Sequence, residues 1–405
     1  MTEAEKMEDP LWYEIVWGQF QKRRLAFRSL GGVGILMLIA IYAPIFVSNK
    51  PYLWKDSTGW SSPWLISLFD RNFFENAIDI FFNSLLFPGT FFAAGFLFVF
   101  LRSRGQPRTT RERARSRALL LAVGLWLGSL GGILLFPYQN VKTVYPTIQA
   151  TLEASGQEVT ALYPPLPFSY RDGDITDANA VPSLKHPLGT DSAGCDVFAR
   201  MLYGTRVSLT VGLFAVALYI SFGTAVGAIS GFFGGRIDTL LMRLVEVVIC
   251  IPSMFLVLTV ASFIENRSIF HIMLIIAAVA WTGPARLVRA EFLRLRELDF
   301  VSAARAAGFS RSSIIFEEIL PNALGPVLVS ATFGVASAIL IESTMSFLGL
   351  GDITVPSWGQ ILSTGRQTGS WPLILAPGFA IFATVSLLNL VGEGFRDALD
   401  PKLRR

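Results

Sequence analysis

"VSAARAAGFSRSSIIFEEILPN", residues 301–322, interrupts the most apolar half of a 405-residue chain. The runs on either side of it, 269–288 and 323–345, carry almost no charge. Within the interruption Ala303, Ala304, Ala306 and Ala307 give a helix with almost no side-chain bulk. Gly308 supplies the left-handed residue that ends such a helix. Ser310 is placed to cap a second short helix, and Pro321 is expected to break it before the next apolar run. Phe292, Leu295 and Leu298 fall roughly on one face of the approach. Two short helices around a glycine elbow, one shaved to alanine, suit insertion into a groove on another protein.

The rest of the chain says where that loop sits. Hydrophobic residues make up 52% and charged residues 16% of it, and mean hydropathy is +0.51. A membrane-crossing helix needs roughly 20 mainly apolar residues. Eight stretches qualify, at about 30–48, 80–101, 118–137, 207–230, 241–263, 269–288, 323–345 and 372–392. None alternates as barrel strands do. The expected fold is therefore an all-α polytopic membrane protein with about eight transmembrane helices. With residues 1–29 inside, the inner loops hold 24 Lys and Arg and the outer loops 10, which predicts N-in and C-in. The densest basic segment, "RSRGQPRTTRERARSR" (102–117), has seven arginines. It reads as a topology anchor facing anionic membrane lipid rather than a nucleic-acid tail.

The chain divides into an inner N-terminal segment (1–29), three spans including an added hairpin (30–137), an outer segment (138–206) and a five-span core (207–405). Asp9 and Pro10 read as the start of a helix whose stripe of Leu11, Trp12, Ile15, Val16 and Phe20 lies in the inner membrane interface. The second span, with eight Phe between 81 and 100, is expected to face lipid. Gly124, Gly128 and Gly132, and likewise Gly223, Gly227 and Gly231, recur at the spacing that lets helices pack closely. Cys195 and Cys250 are too far apart in the pattern to suggest a disulfide. His186 and His271 are isolated, and no metal site is expected. No G-x-x-x-x-G-K-[ST] phosphate loop occurs, so any ATP must be held by another subunit.

The spacing Ala-Ala, three residues, Gly, then about a dozen residues to Leu-Pro resembles the coupling loop of binding-protein-dependent ABC importer permeases. Ser302 stands where that family carries a glutamate, and Glu318 where an aliphatic residue is usual. "HPLGTDSAGCDVFARMLYGTRVSL" (186–209), "GFFGGRIDTLLMRLVEVVICIPSM" (231–254), "MSFLGLGDITVPSWGQIL" (345–362) and "GEGFRDALDPKLRR" (392–405) are similar, in order, to the oligopeptide/dipeptide permeases of the OppC/DppC type. The hairpin over 80–137 looks like an insertion relative to that family.

The resemblance implies a permease core of five to six helices and a non-catalytic translocation subunit. The implied partners are a second permease, ATP-binding cassette subunits that hold ATP-Mg, and an extracytoplasmic substrate-binding protein in the bacterial inner membrane. The cargo would be peptides, peptide antibiotics or nickel chelates. The coupling loop would span about 291–322, with Ser302, Ala303, Ala304, Ala307 and Gly308 in contact with the ATPase. Leu320 and Pro321 would set the angle of the following span. Two acidic residues are candidates for the substrate path. Glu246 either pairs with Arg243 or meets substrate; Glu342 either binds a peptide amine or reaches the outer interface. Asp191 and Asp196 read as braces for turns near the mouth. A secondary transporter or channel would need inverted repeats with midplane charges, and a membrane-embedded enzyme a catalytic dyad or ligand cluster; neither pattern is evident.

Overall fold

The computed structural model describes residues 12–57, 59–105, 108–139, 145–155, 159–265 and 267–399. Two helices open the chain: α1 (Trp12–Lys22) and α2 (Arg24–Phe46). A hairpin follows, of α3 (Ala77–Arg102) and α4 (Arg108–Leu135). The core follows as α5 (Val197–Phe233), α6 (Gly235–Ile249), α7 (Ser253–Ser262), α8 (Ile269–Ala280) and α9 (Thr282–Leu295). It closes with α10 (Asp299–Ala306), α11 (Arg311–Phe347), α12 (Trp358–Thr368) and α13 (Trp371–Leu399). Six helices are individually long and apolar enough to cross a membrane. The bent pairs α6–α7 (77°) and α8–α9 (43°) bring the number to eight if each pair is one span. Pro252 lies in the α6–α7 break, as expected from its missing N–H.

Helix α5 is the hub, packed against α2, α8, α9 and α11, while α13 packs on α2, α11 and α12. Contacts between distant segments fix which ends share a side. Arg23 pairs with Asp397 at 3.3 Å, and Arg296 donates to the Gly231 carbonyl at 2.8 Å. These join one set of helix ends. At the opposite ends Arg267 donates to the Gly349 carbonyl at 2.9 Å.

There too lies a small antiparallel sheet, ordered β2-β1-β3, of β1 (Leu53–Asp56), β2 (Gly59–Ser61) and β3 (Thr160–Leu162). Trp54 is paired with Ala161 across it. The sheet was not anticipated. Strands of three or four residues carry too little alternation to register as a period, and β3 lies over 100 residues from its partner β1.

Several expectations need correcting. Helix α5 starts at Val197 rather than near 207, because Asp196 caps it, accepting the Ala199 N–H at 2.7 Å. Arg206 can then be buried within the helix because every side of its guanidinium finds an acceptor. Helix α4 already begins at Arg108, so most of the arginine stretch is helical. Arginine, alanine and glutamate are good helix formers. Pro321 breaks nothing. The helical run Arg311–Phe347 continues through a π-helical stretch, Ile314–Ile319, and Pro321 sits at the start of the regular turns that follow. The wider π turn accommodates a residue that lacks an N–H.

The two glycine series have opposite fates. A Cβ on Gly223, Gly227 or Gly231 would lie 2.6, 2.4 or 2.6 Å from atoms of the α8–α9 segment, so these residues do seat a helix. A Cβ on Gly124, Gly128 or Gly132 would meet nothing within 4 Å. Among the described residues the second series packs against no helix.

Helix α1 packs against α13. Val16 and Phe20 are buried, and Phe20 stacks on Phe395 of α13 with ring centroids 4.5 Å apart, while Trp17 remains exposed. The proposed start at Asp9-Pro10, including Leu11, lies outside the described residues. In the second half of α3 no residue is buried, and Phe91 and Phe98 stand exposed.

Candidate functional site

The loop of residues 296–321 is built on a buried base. Phe292 and Leu295 of α9, Val301 and Ala304 of α10, and Ile314, Ile319 and Ala323 of the α11 run form one apolar cluster with Ala228 and Val288. Leu298, expected on that face, is displaced from it, because α9 stops at Leu295 and Leu298 starts the next helix.

Helix α10 ends on a two-bond left-handed cap. Gly308 has φ +81°, its N–H donates to Arg305 O and the Phe309 N–H donates to Ala304 O, both at 3.1 Å. That bonding pattern requires a positive φ, which glycine adopts without steric cost. Ser310 then caps the following turn, its Oγ accepting the Ser313 N–H at 3.2 Å.

The cap leaves an exposed tip of small residues: Ser302, Ala303, Ala306, Ala307 and Gly308, flanked by Arg305 and Phe309. Of the residues expected to touch an ATPase, Ala304 is the exception. It is buried against the loop's own base. The reason is helical period: Val301 and Ala304, three residues apart, share the inward face, whereas Ala303 and Ala307, four apart, share the outward one. Leu320 lines an open apolar crevice of about 490 Å³ between α5 and α11, together with Ile220, Thr224, Phe316 and Leu324. Pro321 is exposed.

Polar links that the sequence reading missed hold this base to the neighbouring spans. Arg289 of α9 grips Asp238 of α6 through Nε and Nη2, the latter at 2.6 Å, and Ser230 of α5 donates to the same carboxylate. A paired guanidinium–carboxylate geometry is among the stronger side-chain contacts. The signal was an aspartate and an arginine 51 residues apart, each ordinary where it stands. On α5, Arg206 is completely buried. It donates to Asp79 at 2.8 Å, Asn83 at 2.9 Å and the Ala40 carbonyl at 2.7 Å. Tyr170 donates to the other Asp79 oxygen at 2.9 Å. One buried cluster thus joins α2, the hairpin, the outer segment and the core.

The two acidic candidates are placed apart. Glu246 pairs with Arg243 at 2.8 Å on an exposed face of α6. Glu342 is fully buried in α11, its carboxylate accepting from Ser346 Oγ at 2.7 Å and Ser343 Oγ at 3.4 Å. It does not reach the outer surface. Both carboxylates are occupied in this conformation.

At the outer ends Asp191 accepts the backbone N–H groups of Ala193 and Cys195 at 2.9 Å and pairs with Arg200. Asp196 holds His186 Nδ1 at 2.8 Å, so both aspartates brace turns. Burial raises the Cys195 thiol to about 11. His271 closes a capping box with Ser268. Among the described residues no three His, Cys, Asp or Glu side chains gather as a metal site would require.

Residues 223–405 match the family model for the binding-protein-dependent transport system inner membrane component. Among curated proteins, the chain is 40% identical over 250 residues to the dipeptide transport system permease protein DppC of Alkalihalophilus pseudofirmus, covering 60% of this chain and 82% of that one. It is 41% identical over 244 residues to the oligopeptide transport system permease protein OppC of Haemophilus influenzae, covering 59% and 78%. With the dipeptide permease protein DppC of the same organism it shares 36% identity over 282 residues, 69% of this chain and 92% of that one. Six to eight candidate membrane crossings, a core bound together around α5 and these matches lead to one assignment: the chain belongs to the OppC/DppC-like permeases of binding-protein-dependent ABC importers, multi-pass proteins of the bacterial inner membrane.

Proposed function

We propose that this chain is the translocation subunit of an ATP-driven importer of peptides or similar small solutes, and that residues 302–309 are the point where ATPase motion enters it. One observation carries the reading: a bulk-free tip, Ser302, Ala303, Ala307 and Gly308, stands exposed on a base that is buried and continuous with α11. The names of the peptide permeases it resembles support the cargo class. A second permease, two ATPase subunits holding ATP-Mg and an extracytoplasmic binding protein complete the assembly.

In this reading the ATPase surface receives the outward face of α10. Closure of the ATPases pushes on that face. Val301, Ala304 and Ile314 are packed together, so α10 does not slide against α9 and α11, and the push turns those helices instead. The Arg289–Asp238 grip carries the movement to α6. Ala304 belongs to the lever's interior rather than to its contact. The outward-facing residues, with Ser302 in place of the usual glutamate, make the contact through shape.

The test is a pair of substitutions measured in the assembled transporter. Ala303→Arg should reduce uptake by more than about tenfold while the purified chain unfolds at the wild-type temperature, because the long charged side chain meets only the partner. Ala304→Arg should lower the unfolding temperature of the isolated chain, because there the side chain enters this protein's own core. Normal uptake with Ala303→Arg would remove the loop from the coupling path. Single cysteines at Ser310 and Thr109, in a chain lacking Cys195 and Cys250, should both resist an impermeant thiol reagent in spheroplasts. Labelling of Ser310 from outside would reverse the topology and with it the mechanism.

A further inference from the structure

The inserted hairpin ends in a basic cluster that the transport reading does not use. From 102 to 117 the chain carries seven arginines and one acidic residue, Glu112. Arg115 closes the hairpin: it donates to Ser103 Oγ at 3.0 Å and the Phe100 carbonyl at 3.4 Å, with its guanidinium 3.8 Å from the centre of the Phe100 ring. Its neighbours do not share that work. Arg113 and Arg117, one turn apart on α4, are exposed. At 100° per residue Leu120 and Leu121 continue the same face, 72% and 66% exposed. They lie roughly 10 Å further along the axis. The apolar window of α4 is 0% buried, so among the described residues nothing covers this face.

From this arrangement we infer that the α4 face of the hairpin is a binding site for an anionic phospholipid. Arg113 and Arg117 hold the phosphate-bearing headgroup, and Leu120 and Leu121 lie against the first part of its acyl chains. Charge complementarity selects the occupant. A zwitterionic lipid matches the apolar strip equally well but leaves the pair of cations without net compensation, whereas an anionic headgroup satisfies both. The height of the charges argues against a soluble acidic partner, since they sit at the end of an apolar helix long enough to cross the bilayer, where headgroups lie. The inference is independent of the cargo and of the coupling loop.

The experiment uses the full chain purified in a neutral detergent and offered equal amounts of phosphatidylglycerol and phosphatidylcholine with matched acyl chains, with retained lipid counted by native mass spectrometry. Phosphatidylglycerol should be retained over phosphatidylcholine by about tenfold or more. The preference should vanish in Arg113→Gln/Arg117→Gln, survive in Arg113→Lys/Arg117→Lys and survive in the control Arg243→Gln. The exposed side chains should leave the unfolding temperature in neutral detergent unchanged. Equal retention of the two lipids, or a preference that persists in the double glutamine variant, overturns the proposal. So does a stable dimer through α4 that excludes both lipids, or a nucleic acid or acidic polypeptide that phosphatidylglycerol does not displace.

Discussion

Helices α4 and α5 carry the same device, a glycine every fourth residue, and use it differently. In α5 the series Gly223, Gly227, Gly231 lies under the α8–α9 segment, with neighbouring carbonyl oxygens where a methyl group would need to be. In α4 the series Gly124, Gly128, Gly132 looks onto open space. Half of the apolar window of α5 is buried, and none of that of α4. Small residues at helical spacing thus permit close approach without causing it. What closes the α5 contact is the partner helix, held in place by Phe292 below and Trp281 above. Among the described residues the glycine face of α4 has no such partner, and the hairpin is fastened to the core at its base, by Ile78 and Phe82 in the apolar core and by the polar bonds around Arg206.

That fastening gives the largest expected effect. Arg206→Leu leaves the Asp79 carboxylate buried beside Tyr170 without its cation, which should cost about 3–5 kcal/mol of stability. The double variant Arg206→Leu/Asp79→Leu should recover much of it, both read by thermal unfolding in detergent. A single variant as stable as wild type would mean that the hairpin is held by something other than this cluster.

Next in size is the glycine contrast itself. Gly227→Leu should destabilise by at least about 1–3 kcal/mol, because backbone atoms of α9 cannot yield to the new side chain. The same change at Gly128 should stay within about 0.5 kcal/mol, the usual range for an exposed position. Equal losses at the two sites would show that α4 has a close partner in the assembled transporter.

A smaller effect, on reactivity alone, separates the open hairpin from the closed outer segment. With its thiol raised to about 11, Cys195 is only about one part in a thousand thiolate at pH 8, and its reactivity should rise as the pH climbs toward that value. A cysteine at exposed Ser116 should therefore alkylate about 100-fold faster in the solubilised protein. Comparable rates would mean that the outer segment opens readily. The least effect is expected at Glu246. Its bond to Arg243 is exposed and local, so Glu246→Gln should change stability by less than about 0.5 kcal/mol and leave uptake unaltered. Lost uptake would restore Glu246 to the substrate path.

Much of the architecture was legible because its causes are local. The crossing helices follow from runs of apolar residues, and the cap at Gly308 from a single glycine that follows alanines and precedes a serine. Pro252, which lies in the α6–α7 break, acts just as locally. Pro321 misled because a proline forbids one hydrogen bond but does not dictate how the chain absorbs the loss, and a π turn absorbed it here. Arg206 and Asp79 lie 127 residues apart, and Arg289 and Asp238 lie 51 apart. No spacing rule links such pairs, because neighbourhood between helices depends on packing.

The sequence by itself determined that the chain crosses a membrane several times and that a small-residue loop interrupts its apolar runs, since hydropathy, charge and cap chemistry act over a few residues. The tertiary structure alone decided that Ala303 faces outward while Ala304 faces inward. It also decided that one glycine series is covered and the other bare, and that Glu342 is enclosed by serines. Each of these depends on which helix lies opposite, and that is set by the packing of the whole bundle.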